Sequence, residues 1–206
     1  TQLTTGNTYQ KTAESQTIAF LIALECFVCD ITQDLFLRVV AWIALLMVWA
    51  ALRADDVGGI DHARVILTTA CLRMVLVRSK TTGPGKRVMG APLFIHRLAN
   101  LSGSDWLGIG LQLWRSPELQ FERDYFIPDV SLHGTSFADR VKHRPMPVDR
   151  LNAYLRAVML KLKVSVPSRE EGNRWFCSDD FLVPPELAGY WSGHSARHLL
   201  VSIAAA

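Results

Sequence analysis

The sequence predicts an α+β fold, mainly α, on three observations. Residues 17–29 and 33–52 are dense in apolar side chains without Pro or Gly. Residues 64–95 break into short β-prone segments around Gly83-Pro84-Gly85. Residues 147–163 place apolar side chains at helical spacing. With 206 residues, half of them apolar, the chain can bury one substantial core.

The elements follow in chain order. Residues 1–16 form a polar tail without an apolar signal-peptide centre. Two buried helices come next, with Asp30, Thr32 and Asp34 between them as candidate caps. The run 39–52, "VVAWIALLMVWAAL", is flanked by Arg38 and Arg53 and falls short of the roughly 18 residues a membrane span needs, so it reads as a core helix. Gly58 and Gly59 then interrupt the pattern. In "CLRMVLVRS", Leu72, Met74 and Leu76 alternate with Arg73, Val75 and Val77, as in a half-exposed strand, and the Gly-Pro-Gly turn predicts a hairpin in a small antiparallel sheet at about 64–95. Residues 97–147 read as a loop-rich insertion with one or two short helices. Pro147 and Asp149 mark the start of an amphipathic helix with Leu151, Tyr154, Leu155, Val158, Met159 and Leu162 on one face. Residues 167–187 read as a polar connection, after which Ser192 can cap a last helix carrying His194 and Arg197. A single domain over 17–206 is expected.

Composition excludes several classes. A net charge of +3 means that affinity for a polyanion must come from local clusters of Lys and Arg. Cys26, Cys29, Cys71 and Cys177 lack the spacing of a zinc site or a secreted disulfide framework, so no metal or cofactor is expected, and the Cys26 and Cys29 thiols read as buried on a helix face. Without a membrane span or leader, an intracellular location in a reducing compartment is expected.

Three features carry chemistry. His194 and Arg197, at i and i+3 of a helix start, can address one oxyanion, and backbone N–H groups there add positive potential. Arg53 ends an apolar helix. An arginine in such a place is explained either by compensation of the helix dipole or by a pocket. The hairpin bears Arg78, Lys80, Lys86 and Arg87, and no acidic residue occurs from Arg78 through Arg97, which suits contact with a nucleic-acid backbone.

In this order, an arginine after an apolar helix, a hairpin lysine and a distant His-x-x-Arg, the chain resembles the catalytic domain of tyrosine recombinases, the integrase family that shares its fold with type IB topoisomerases. "ALRADDV" is similar to the family's Leu-Arg-x-x-Glu-Leu pattern, with Asp56 in place of the acidic residue. "RSKTTGPGKRV" and "GHSARH" are most similar to recombinases of eukaryotic Crypton and DIRS elements, which would imply a nuclear location. The resemblance implies that Arg53, Lys80, His194 and Arg197 are catalytic, that Arg78, Lys86 and Arg87 contact double-stranded DNA, and that several protomers assemble on that DNA. Two departures stand out. The family's nucleophilic tyrosine follows the His-x-x-Arg box, whereas Tyr154 and Tyr190 precede it, and the N-terminal DNA-clamping domain is missing. The resemblance therefore covers a partial catalytic domain without its nucleophile.

The implied reaction is attack of a tyrosine hydroxyl on a DNA phosphodiester, giving a 3′-phosphotyrosyl link and a free 5′-hydroxyl. Arg53 and Arg197 would fork onto the non-bridging oxygens of the phosphorane. Lys80, with Lys86 as runner-up, would protonate the departing 5′-oxygen, and His194 would hydrogen-bond the phosphate or assist the incoming hydroxyl. Two other readings stay open: a catalytically dead DNA-binding module derived from such an enzyme, and a helical scaffold whose apolar residues 17–52 serve a partner.

Overall fold

A computed structural model describes residues 17–80, 82–131, 137–168 and 174–186. His194 and Arg197, and the helix predicted around them, lie outside the described residues.

Helices α1 (Ile18–Cys29) and α2 (Leu35–Trp49) form where two were predicted. Asp34 is the cap of α2: its carboxylate accepts from the backbone N–H groups of Phe36 and Leu37 at 3.0 and 3.1 Å. Every residue of α2 from Phe36 to Val48 is buried, so the helix is the centre of the core rather than one of its walls. Its one charged side chain in that stretch, Arg38, turns its Nε–H to the Val28 carbonyl at 2.9 Å, satisfying the last turn of α1.

Helix α2 ends earlier than predicted. The Leu52 N–H donates to Met47 O at 2.8 Å and the Ala51 N–H to Val48 O at 3.1 Å, with Ala51 at φ 51°. This is a Schellman stop with alanine in the left-handed position usually given to glycine. Arg53 therefore does not close α2. It precedes the short helix α3 (Ala54–Val57), and its backbone N–H donates to the Asp56 carboxylate at 3.0 Å.

The predicted sheet is present as β1 (Ile66–Leu67), β2 (Cys71–Leu76) and β3 (Ala91–His96), antiparallel in the order β1-β2-β3. Leu72, Met74 and Leu76 face the core, as their alternation required.

Residues 97–147 hold the expected short helices and add a strand pair that was not expected. They contain α4 (Trp106–Trp114), which packs on α1 and α2, and β4 (Pro128–Val130) paired antiparallel with β5 (Val141–Pro145), with the single turn α5 (Phe137–Arg140) before β5. Trp114 stacks on Phe126 at 4.9 Å, donates Nε1–H to the Phe126 carbonyl at 3.1 Å, and reaches Trp42 of α2. Asp129 of β4 is fully buried between Arg144 of β5 at 2.7 Å and Arg150 of the next helix at 2.9 Å. That helix, α6 (Val148–Met159), buries Leu151, Tyr154, Leu155, Val158 and Met159, the predicted face.

The expected polar connection contributes a strand, β7 (Trp175–Phe181), which pairs antiparallel with β6 (Lys163–Pro167) as the β6–β7 hairpin. The loop before α4 joins it to α1. Glu25 of α1, 0% exposed, accepts from the N–H groups of Leu101 at 2.9 Å and Ser102 at 2.7 Å, while the Trp175 N–H donates to Ser102 O at 3.0 Å. Burial pushes the Glu25 carboxyl above its ordinary value, and those donors act against the shift.

Replacing Glu25 with Ala leaves the buried Ser102 N–H without an acceptor, strips the Leu101 N–H of its partner and opens a cavity. The expected loss is about 3 kcal/mol of unfolding free energy, read from urea denaturation.

Candidate functional site

The Gly58–Ile60 segment that follows α3 is joined by backbone to the root of the predicted basic hairpin. After α3 the chain passes Gly58 and Gly59 and runs beside the end of β2: the Val77 N–H donates to Gly59 O at 2.9 Å, the Arg78 N–H to the same oxygen at 3.3 Å, and Ile60 bridges Leu76. The approach is so close that a Cβ on Gly59 would lie 1.8 Å from the Arg78 carbonyl oxygen. Only glycine fits there. Arg78 adds a side-chain bond from Nη2 to Gly58 O at 3.3 Å. The short α3 segment that starts at Arg53 is thereby joined to the root of the hairpin arm that leads to Lys80.

The arm is shaped by its own turn. Gly83 to Lys86 form a type II turn, with Pro84 at its second position, Gly85 at φ 74° and the Lys86 N–H donating to Gly83 O at 3.0 Å. Below it, the Ser79 N–H donates to Thr82 O at 3.1 Å, and the Thr82 N–H and hydroxyl reach Ser79 Oγ at 3.1 and 2.9 Å. The two lysines differ. Lys86 Nζ folds back onto the Ser79 carbonyl, whereas Lys80 is exposed, and among the described residues none bonds its ammonium. Arg87 is exposed at the turn. A cleft of about 660 Å³ lies between this arm and the Gly58–Gly59 segment, lined by Arg64, Arg78, Pro84 and Met89, with Asp124 the one carboxylate on its wall among the described residues.

Arg53 itself is half-buried and makes no ion pair among the described residues. Because it opens α3 instead of closing α2, compensation of the α2 dipole does not explain it. Tyr154 cannot act as a nucleophile in this fold. It is 2% exposed, its hydroxyl donates to the carbonyls of Val130 and Ser131 at 3.1 and 3.2 Å, and its ring meets Phe36 edge-on at 4.9 Å. The apolar residues of 20–28 and 36–48 are buried in the chain's own core, which removes the reading of 17–52 as a partner surface. Among the described residues, no helix is long and apolar enough to cross a membrane, and no group of His, Cys, Asp or Glu is arranged to hold a metal.

A mainly helical fold with small antiparallel sheets, arranged this way, resembles that of a tyrosine recombinase catalytic domain. The chain is similar in structure to the XerH site-specific recombinase bound to a palindromic difH substrate in a post-cleavage complex, with a TM-score of 0.51 and 11% sequence identity over 93% of this chain and 42% of that one. It thus spans less than half the length of that recombinase. No family model and no curated protein matches the sequence.

Sequence reasoning missed Gly59, whose role is a backbone approach that its neighbours in sequence do not signal. Gly59→Ala is expected to part the α3 segment from the hairpin root and to lower stability by about 2 kcal/mol. Hydrogen exchange at the Val77 amide should accelerate more than exchange within α2, and equal protection in the variant would show that the seam survives.

Proposed function

We propose that this domain breaks and rejoins DNA strands as part of a tyrosine recombinase, with Arg53, Lys80, His194 and Arg197 gathered around one phosphodiester. The observation that carries the reading is the seam at Gly59, which ties the Arg53 segment to the arm bearing Lys80, within a fold shared with a recombinase. Double-stranded DNA is the partner, and Arg78, Lys86 and Arg87 line its backbone. The nucleophile is a tyrosine supplied from outside these 206 residues, in a protein of the Crypton or DIRS kind whose protomers assemble on DNA.

Each side chain has a task set by its chemistry. The planar guanidiniums of Arg53 and Arg197 fork onto the non-bridging oxygens and stay charged as the phosphorane forms. Lys80, exposed on the arm, donates a proton to the leaving 5′-oxygen. Lys86, held against the Ser79 carbonyl, is the less available acid and serves to bind phosphate. His194 hydrogen-bonds the phosphate or takes the tyrosine proton.

In a chain that includes the tyrosine, Arg53→Lys and Arg197→Lys should each slow cleavage of a nicked suicide duplex by at least about 10²-fold, with DNA affinity changed far less. Normal cleavage by either variant removes that residue from the site. The 206 residues themselves should bind duplex DNA without a covalent adduct. Alanine at Arg78, Lys86 or Arg87 should lower the slope of log affinity against log salt by about one for each phosphate no longer neutralised. A salt-independent affinity, or none, would leave the fold without its proposed partner.

A further inference from the structure

The β6–β7 hairpin brings thiols together that lie far apart in sequence. Cys26, on the inner face of α1, is buried, while Cys177, on β7, is exposed. Both line one open cavity of about 460 Å³, together with Cys29, Asp30, Lys163 and Arg174. The Cys26 S–H donates to the Trp175 carbonyl at 3.5 Å, two residues before Cys177 on β7, so the two thiols open into the same space. We propose that Cys177 and Cys26 are a thiol–disulfide exchange site: Cys177 attacks a small anionic disulfide of the glutathione type entering this cavity, and Cys26 resolves the adduct into a disulfide between β7 and α1. The proposal is independent of the DNA chemistry above.

The two sulfurs are unequal in the way such a sequence of steps requires. The neighbouring Cys26 thiol lowers the Cys177 thiol to about 7, helped by Lys163 and opposed by partial burial and by Asp30. The same proximity, then burial, raises Cys26. Cys29 is raised by burial, which leaves it the poorer attacker. Lys163, which also meets the exposed Asp179 carboxylate at 3.6 Å, and Arg174 line the cavity and suit a ligand carrying carboxylates.

In the first step the Cys177 thiolate attacks one sulfur of glutathione disulfide, forming a mixed disulfide and expelling one glutathione thiolate. Capping Cys177 removes the neighbouring charge that holds the proton on Cys26. Cys26 then ionises, attacks the Cys177 sulfur and expels the second glutathione thiolate. Two protein thiols are oxidised, one glutathione disulfide is reduced to two thiols, and those two thiolates take up two protons.

The test is to incubate the reduced 206-residue chain with glutathione disulfide and map its disulfides by mass spectrometry. A Cys26–Cys177 crosslink is expected in the wild type and in Cys29→Ser, and a stable glutathione adduct on Cys177 in Cys26→Ser. Alkylation of Cys177 in the reduced protein should rise with a midpoint near pH 7, below the ordinary value of about 8.5. No oxidation, a Cys26–Cys29 or Cys29–Cys177 crosslink as the main product, or undiminished oxidation of Cys177→Ser would overturn the proposal.

Discussion

The constraint on which the structure depends is the enclosure of α2. A helix apolar on one side only needs a single neighbour, but one buried from Phe36 to Val48 must be walled in all round. Helices α1, α4 and α6 supply those walls. Because a helix apolar on every face carries no rotational preference of its own, its setting comes from a few specific contacts: the Asp34 cap, the Arg38 bond to Val28 O, and the approach of Gly110 on α4. A Cβ on Gly110 would fall 2.0 Å from the Trp42 ring, so α4 lies against α2 at glycine distance.

That same contact explains what could be read from the sequence and what could not. Helices α1, α2 and α6 were legible because length, absence of breakers and apolar spacing all agree there. Helix α4 was expected only as a short helix without a place in 97–147, because Gly108 and Gly110 look like interruptions, while in the fold Gly110 is what lets two helices meet. The β7 segment, "WFCSDDF", is largely exposed, so neither of its faces announces a strand, and its pairing with β6 is a property of backbone alone. The end of α2 was placed too late since Ala51 adopts a glycine-like conformation without being glycine.

The candidate site was legible in part for a related reason. Charge and order along the chain pick out Arg53 and the hairpin cations, and those signals survive folding because the side chains remain outside the apolar core. What joins the segment after α3 to the hairpin root is main-chain hydrogen bonding at Gly59, which uses no distinctive side chain. Backbone thus fixes this part of the scaffold without engaging the Lys80 ammonium, which stays exposed.

Ser102 sits at a crossing of the fold. Its N–H is taken by the Glu25 carboxylate from α1 and its carbonyl by the Trp175 N–H from β7. Peeling the β6–β7 hairpin away would strip one partner from that residue and admit water to the buried carboxylate beneath it. Strand β7 is thus tied to α1 through Ser102, so its release is coupled to exposure of the Glu25 carboxylate.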